Sequence, residues 1–293
     1  MSNIVIDLEK KGFISPPNWL SKNIIYLSVV GSVSYGAADT NKISDIDLFG
    51  VCIPPKSILF PKGKILGFDD FEEFTLYKKD HIFLEEQEYD VAVRNIASFF
   101  KLLNKSNPTV VGALFSCQED ILAITKAGNI MRDNRHLFLS KECFPAFKGY
   151  AYSNLKKMES KTPDESGKRF DLVKKYGYDV KFAMHVVRLL LELEQILEEG
   201  TINLKKDKDV LKSIRMGEWK IEEIKKWASD KEKSLDVLIK KSSLKEKINK
   251  KEIRELLVSC LETHYGSLQK EMVNEETERS FIKEVKSLLE KFD

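Results

Sequence analysis

The chain runs to 293 residues with 48 basic and 46 acidic side chains, and its net charge of +2 does not indicate a large surface built to coat nucleic acid, while leaving room for a local basic patch. Hydrophobic residues make up 42% and charged residues 32%, which excludes a disordered tail. No run approaches the roughly 18 apolar residues of a membrane span, and MSNIVIDLEKKGF lacks the basic-then-apolar layout of a signal peptide, so a cytoplasmic protein is expected.

Short β-branched and aromatic runs separated by Gly, Pro, Asn and Asp predict strands at 24–30, 45–53, 81–84 and 88–93. Helices are expected over 95–105 and much of 141–161. All eight prolines lie at or before Pro163, and residues 151–293 carry 31 basic and 28 acidic side chains against 17 and 18 in 1–150. A proline-free, charged stretch with 3.6-residue periodicity reads as a run of helices. The expected division is therefore an α/β unit at 1–145 and a helical unit at 146–293. The lysine-rich stretch 205–252 reads as solvated helix surface. Cys52, Cys117, Cys143 and Cys260 are scattered, so neither a zinc site nor a disulfide framework is expected.

In the helical half, 168–176 is a helix stopped by Gly177, and Asp179 is the N-cap of the next one. There Phe182, Val186, Leu189, Leu193 and Ile196 form a core stripe. Lys181, His185 and Arg188 recur on the adjoining face, at the rim of a cleft. The same three residues also suit a solvated face paired with Glu192.

The chemistry concentrates between Val29 and Leu48. An apolar strand runs into Gly31-Ser32, and Asp45-Ile46-Asp47 opens the next apolar strand. A glycine lets backbone approach a phosphate closely, Ser32 offers a hydroxyl, and the following turn offers backbone amides. Asp45 and Asp47, two apart on a strand, point to the same side, as two oxygen ligands for Mg²⁺ would. A two-metal phosphoryl-transfer site needs a further carboxylate. Asp90, in the alternating run Glu88-Tyr-Asp-Val-Ala-Val93, is the candidate, Glu88 the second choice, and Asp69 and Asp70 read as loop acids.

These residues resemble the DNA polymerase β-like nucleotidyltransferase superfamily. Gly31-Ser-x-x-Tyr-Gly36 and Ser44-Asp-Ile-Asp-Leu-x-Gly50 are similar to predicted nucleotidyltransferases of the RNA-repair type, a group named for its association with RNA ligases. The likeness continues in order through Phe99-x-x-Leu-Leu-Asn-Lys-Ser-Asn107-Pro108, Gly177-Tyr-Asp-x-Lys181-x-x-x-His185-x-x-Arg188-Leu and Gly217-Glu-Trp219, over about residues 20–230. It implies an α+β fold, with a small mixed sheet presenting Asp45, Asp47 and Asp90 to two Mg²⁺ ions (Mn²⁺ as a substitute) and a helical domain completing the cleft. It also implies a nucleotide-binding set of Gly31, Ser32, Tyr35, Ser44, Lys181, His185 and Arg188. One departure is Gly112, where the family pattern has Glu.

The implied reaction is Mg²⁺-dependent transfer of NMP from an NTP to an acceptor hydroxyl. An RNA 3′ end, from tRNA or damaged RNA, is the first choice; a protein or small molecule follows, and a non-catalytic nucleotide-binding regulator is the contrasting class. Residues 148–181 hold nine basic and five acidic side chains among Tyr150, Tyr152, Phe170, Tyr176 and Tyr178. That mixture suits single-stranded nucleic acid and equally an amphipathic helical pair. Lys168 and Arg169 are its candidate acceptor-binding residues.

Overall fold

The computed structural model describes residues 4–38, 44–60, 74–160 and 168–268. Asp69 and Asp70 lie outside these, and of Lys168 and Arg169 only the helical backbone is described. Helix α1 (Ile4–Lys10) leads into strand β1 (Ile24–Val30), the short helix α2 (Gly31–Ser34) and strand β2 (Ile46–Cys52). Helix α3 (Lys56–Leu59) precedes the hairpin of β3 (Leu76–Leu84) and β4 (Gln87–Asn95). Then come α4 (Ile96–Leu103), α5 (Pro108–Leu114), β5 (Ile121–Ile124) and α6 (Lys126–Asp133). The remainder is helical: α7 (Cys143–Ser160), α8 (Lys168–Tyr176), α9 (Val180–Glu199), α10 (Lys208–Arg215), α11 (Ile221–Lys241) and α12 (Lys250–Tyr265).

The five strands make one mixed sheet in the order β3-β4-β2-β1-β5. β1 is antiparallel to both β2 and β5, β3 is antiparallel to β4, and β2 runs parallel to β4. The last pairing sets Asp47 opposite Asp90 and Phe49 opposite Ala92. This is the α+β architecture the resemblance implies. β3 starts earlier than the sequence pattern indicates. Its first half, Leu76–Asp80, is polar because it lies on a sheet edge, where one-sided burial erases the apolar signal.

Alternation along the strands gives the sheet two covered faces. Leu27, Leu48, Val91 and Val93 pack with Val5 and Leu8 of α1 and with Ile14 and Leu20. On the opposite face Tyr26, Phe49 and Val51 join a core that continues through Phe99, Phe147, Leu193 and Cys260 of the helices. Caps fix where those helices start. Asn95 Oδ1 accepts from the Ser98 amide at 2.6 Å, and Asn107 caps α5 at 3.0 Å with Pro108 in the first turn. Gly177, at φ +80°, ends α8. Asp179 accepts from the amides of Lys181 and Phe182 at 2.9 and 3.2 Å to begin α9.

The expected stripe of α9 is buried, and so are Ala183, Met184, Val187, Leu190 and Leu197. A helix apolar nearly all round belongs in the centre of a bundle, and α9 packs among α7, α10 and α11. Among the described residues no helix is long and apolar enough to cross a membrane.

One close approach docks the helices on the sheet. The Thr125 amide donates to the Ile25 carbonyl at 2.9 Å, and a Cβ added at Gly128 would lie 2.1 Å from that oxygen. The obstacle is strand backbone, which cannot rotate away. Gly128→Ala is therefore expected to lower unfolding free energy by about 1–3 kcal/mol, read as a shifted urea midpoint with unchanged slope. An unchanged midpoint would mean that α6 is not seated on β1 in this way.

Candidate active site

Asp47 stands at the start of β2, flanked by β1 on one side and β4 on the other. Opposite it, β1 ends at Val30 and the chain turns through Gly31 at φ +73°. A Cβ at Gly31 would fall 2.0 Å from Asp47 Oδ2, so only glycine lets the turn lie against this carboxylate. Ser32 follows in the first turn of α2, half-buried, and the Ser34 hydroxyl donates to the Gly31 carbonyl at 2.9 Å. The phosphate-type turn and the acidic strand are thus in contact.

Asp90 lies beside Asp47 on the same face of the sheet, because paired residues of parallel strands point the same way. Its Oδ1 accepts from the His81 amide at 2.8 Å. His81 has φ 57° and sits at an irregularity of the β3–β4 register between Lys79 and Ile82, which turns its amide toward Asp90. His81 Nδ1 lies 2.6 Å from Oε1 of the buried Glu88, and that hydrogen bond pushes the imidazole pKa up. Glu88, the second-choice ligand, is therefore engaged with His81. Asp45 is exposed just before β2, and the Ser44 carbonyl accepts from Gln87 Nε2 at 2.8 Å, tying this entry to the β3–β4 turn.

Electrostatics bind these groups together. Burial pushes the Asp47 carboxyl above the usual carboxylate range, the Lys181 ammonium opposes that shift, and Asp90, Asp45 and Asp80 add to it. Lys181, exposed in the first turn of α9, is near enough to act electrostatically on Asp47. Lys78, paired with Asp80 at 2.6 Å, also feels Asp90 and Asp47.

Along α9 the three expected cations occupy different depths. Lys181 is exposed, His185 is half-buried and Arg188 is buried. The Arg188 guanidinium stacks 4.5 Å from the centroid of Tyr35, and its Nη1 donates to both Glu192 oxygens at 2.7 and 2.9 Å. The 188–192 pair that the spacing offers for an exposed face does form, but in the interior. Burial raises the Tyr35 pKa, and Asp47 contributes to the same shift, so the stacked ring connects α2, the acidic cluster and α9. His81 and Glu192 are the neighbours that the sequence reading did not assign to the site. Only the i,i+4 spacing signalled Glu192; His81 depends on hairpin register, which has no local motif. Gly112 is buried in α5, where an added Cβ would meet Leu204 at 4.0 Å.

The donor set fits a hard divalent cation. Asp47 and Asp90 present carboxylates on one side of the sheet, Asp45 lies exposed just before β2, and the glycine turn leaves the space around Asp47 Oδ2 free of a side chain. Among the described residues, ligand atoms of His81, Glu88 and Asp90 come within 4.8 Å of one another, whereas those of Asp45, Asp47 and Asp90 do not meet that closely.

The family model for the RNA repair pathway DNA polymerase beta family matches residues 13–259. Among solved structures, a nucleotidyltransferase-like protein from Exiguobacterium sibiricum 255-15 aligns over 92% of this chain and 79% of its own, at 11% identity and a TM-score of 0.27. No curated protein matches the chain at a significant level.

The raised pKa of Asp47 has a consequence for stability. A carboxyl held above its unfolded value contributes stability that is fully present below the unfolded pKa and is lost as pH rises through the folded one. At neutral pH, without divalent cations, Asp47→Asn is therefore expected to melt at or above the wild type, with the difference shrinking toward acid pH. A variant that melts clearly lower in EDTA would remove the burial argument for Asp47.

Proposed function

Because the chain belongs to the RNA repair pathway DNA polymerase beta family, we propose that it is a Mg²⁺-dependent nucleotidyltransferase that moves NMP from an NTP to an acceptor hydroxyl. The observation that carries this reading is the pairing of Asp47 with Asp90 across parallel strands, with the Gly31 backbone packed on Asp47. In this reading residues 1–145 form the nucleotidyltransferase unit and 146–293 the helical unit closing the cleft.

In the reaction the acceptor oxygen bonds to the α-phosphorus, the bond to the bridging oxygen of the β-phosphate breaks, and pyrophosphate leaves with that electron pair. A divalent cation held by Asp45, Asp47 and Asp90 would neutralise the triphosphate and lower the pKa of the attacking hydroxyl. The close-approach turn at Gly31 and the Ser32 hydroxyl hold phosphate oxygens. Asp90, fixed through one oxygen by the His81 amide, takes the hydroxyl proton. Lys181 neutralises charge building on the leaving group. Arg188 and His185 act from deeper in the helix, Arg188 by holding Tyr35 under the turn.

For the acceptor, an RNA 3′ end remains the first choice. On α7, Tyr150 and Tyr152 are exposed, and Lys156 lies 4.7 Å from the Tyr152 ring. An exposed ring beside a lysine supports stacking on a base next to a neutralised phosphate.

Radiolabelled NTPs with Mg²⁺ and assorted RNAs test the reading. Labelled RNA is expected from the wild type and none from Asp47→Asn, whose folded state is checked by melting. Label on protein or a small product would move the acceptor, and nucleotide binding without transfer would favour a regulator.

Ser32→Ala removes one hydrogen bond to a charged group, worth roughly 1.5–3 kcal/mol, so kcat/KM should fall about ten- to a hundredfold. An unchanged value takes Ser32 out of the site. Reversing Lys168 and Arg169 together to Glu should weaken RNA transfer and spare NTP hydrolysis. Wild-type RNA affinity should decline with salt along a shallow slope, as few phosphates are neutralised by a chain of net charge +2. Affinity untouched by the double reversal would rule this segment out.

A further inference from the structure

A separate cavity of about 510 Å³ opens between the loop after α10 and helix α11, lined by Glu218, Trp219, Glu223, Lys226, Trp227 and Asp230. It shares no residue with the acidic cluster, and it is an open groove whose carboxylates are exposed and whose two tryptophans are half-buried. Trp219 and Trp227 stand 6.3 Å apart at 77°, two walls of an aromatic corner. The Trp219 indole N–H donates to the Ser213 hydroxyl at 3.1 Å, and the Trp219 carbonyl accepts from the Tyr178 hydroxyl at 2.6 Å. The ring is thus fixed with its polar atom already satisfied, and its π-surface is what remains for recognition.

Charge selects the occupant. Three carboxylates and one ammonium border the cavity; Asp230 also pairs with Lys233 at 3.2 Å and Glu223 accepts from the Lys220 amide at 2.7 Å, and the negative balance that remains favours a cation over a phosphate-bearing ligand. The indole of Trp227 already carries one cation, with Lys231 Nζ 5.4 Å from the ring centroid and held by Glu194 at 2.8 Å. A metal ion is a poor match, because the carboxylates border the cavity without converging. Among the described residues, three ligand atoms meet within 4.8 Å only at His81, Glu88 and Asp90 and at Cys117, Glu119 and Asp120. Dispersed carboxylates around perpendicular aromatic faces suit an ammonium carried on an apolar stem.

We propose that this cavity binds an organic cation, a protonated aliphatic amine whose ammonium groups reach Glu218, Glu223 and Asp230 while its methylenes lie on Trp219 and Trp227. The site is independent of the nucleotidyl-transfer reading, and its test reads binding alone. The chain has three tryptophans, and Trp19, packed edge-on against Phe74 at 4.9 Å, is silenced by Trp19→Phe. Titrating that full-length variant with spermidine is expected to give a saturable fluorescence change, matched by calorimetry. Nα-acetyl-lysine amide, titrated in parallel, distinguishes a free amine from the ammonium of a protein side chain; saturable binding of either cation supports the site.

Glu218 and Asp230 are exposed, so Glu218→Gln with Asp230→Asn should leave the melting temperature unchanged. The affinity should fall roughly tenfold, the order expected when a cation on an aromatic face loses its carboxylate partners. Three results would overturn the proposal: no saturable change with either cation, neutral uridine binding as well as the amines, or amine affinity indifferent to the double substitution.

Discussion

Asp47 and Asp90 occupy matched positions of neighbouring parallel strands, so the two residues lie about one strand spacing apart, roughly 5 Å. Two full charges at that separation repel by about 3 kcal/mol at an effective dielectric of about 20. Burial of Asp47 works in the same unfavourable direction. What holds the arrangement is the apolar continuation of the same two strands. Phe49 and Val51 follow Asp47 on its face of the sheet, while Leu48, Val91 and Val93 fill the other. Slipping the pair by one residue would exchange those faces and expose both sets. The register that suits the core is the one that forces the carboxylates together, and a bound divalent cation would turn that repulsion into attraction.

Helix α9 answers the acidic strands from across the interface. Its surroundings change from solvent at Lys181 to the interior at Arg188, so one helical face presents Lys181, His185 and Arg188 at three depths. Arg188 is tolerable inside because Glu192 takes two hydrogen bonds from it and Tyr35 covers its guanidinium. Losing Glu192 would leave a buried charge beneath the turn that begins at Gly31. The glycine turn is thus supported from below by a charged pair that does not touch the surface.

How much of this could be read from the chain depends on the range of each interaction. β1 appears at 24–30, the helix stop at Gly177 and the cap at Asp179, because each rests on neighbours within a few residues. Asp47 and Asp90 could be placed on one face from the chain because each lies in a strand whose alternation fixes the side it faces, whereas Asp45 falls just before β2. The first half of β3 was not legible, since an exposed edge strand carries no apolar pattern. Nor was His81, whose amide reaches Asp90 only through an irregularity between two strands. Arg188 shows the middle case: spacing gives its partner Glu192, whereas depth depends on α7, α10 and α11 closing over α9.

The Tyr265 hydroxyl donates to the Pro54 carbonyl, Lys56 Nζ donates to the Ser267 carbonyl at 3.1 Å, and Cys260 and Leu261 belong to the core that covers the sheet. The end of α12 is therefore fastened just past the exit of β2, 211 positions back along the chain. On a ribosome all five strands are synthesised by Ile124, well before α12. At about 5–20 residues per second, the gap before α12 is complete lasts roughly 7–30 seconds. Through that interval Phe49 can already be covered by Phe99 of α4, whereas α6 and α4 still lack the helix that packs against them. A chain cut short ahead of α12 would leave the outer sides of α6 and α4 uncovered, one layer away from the acidic strands.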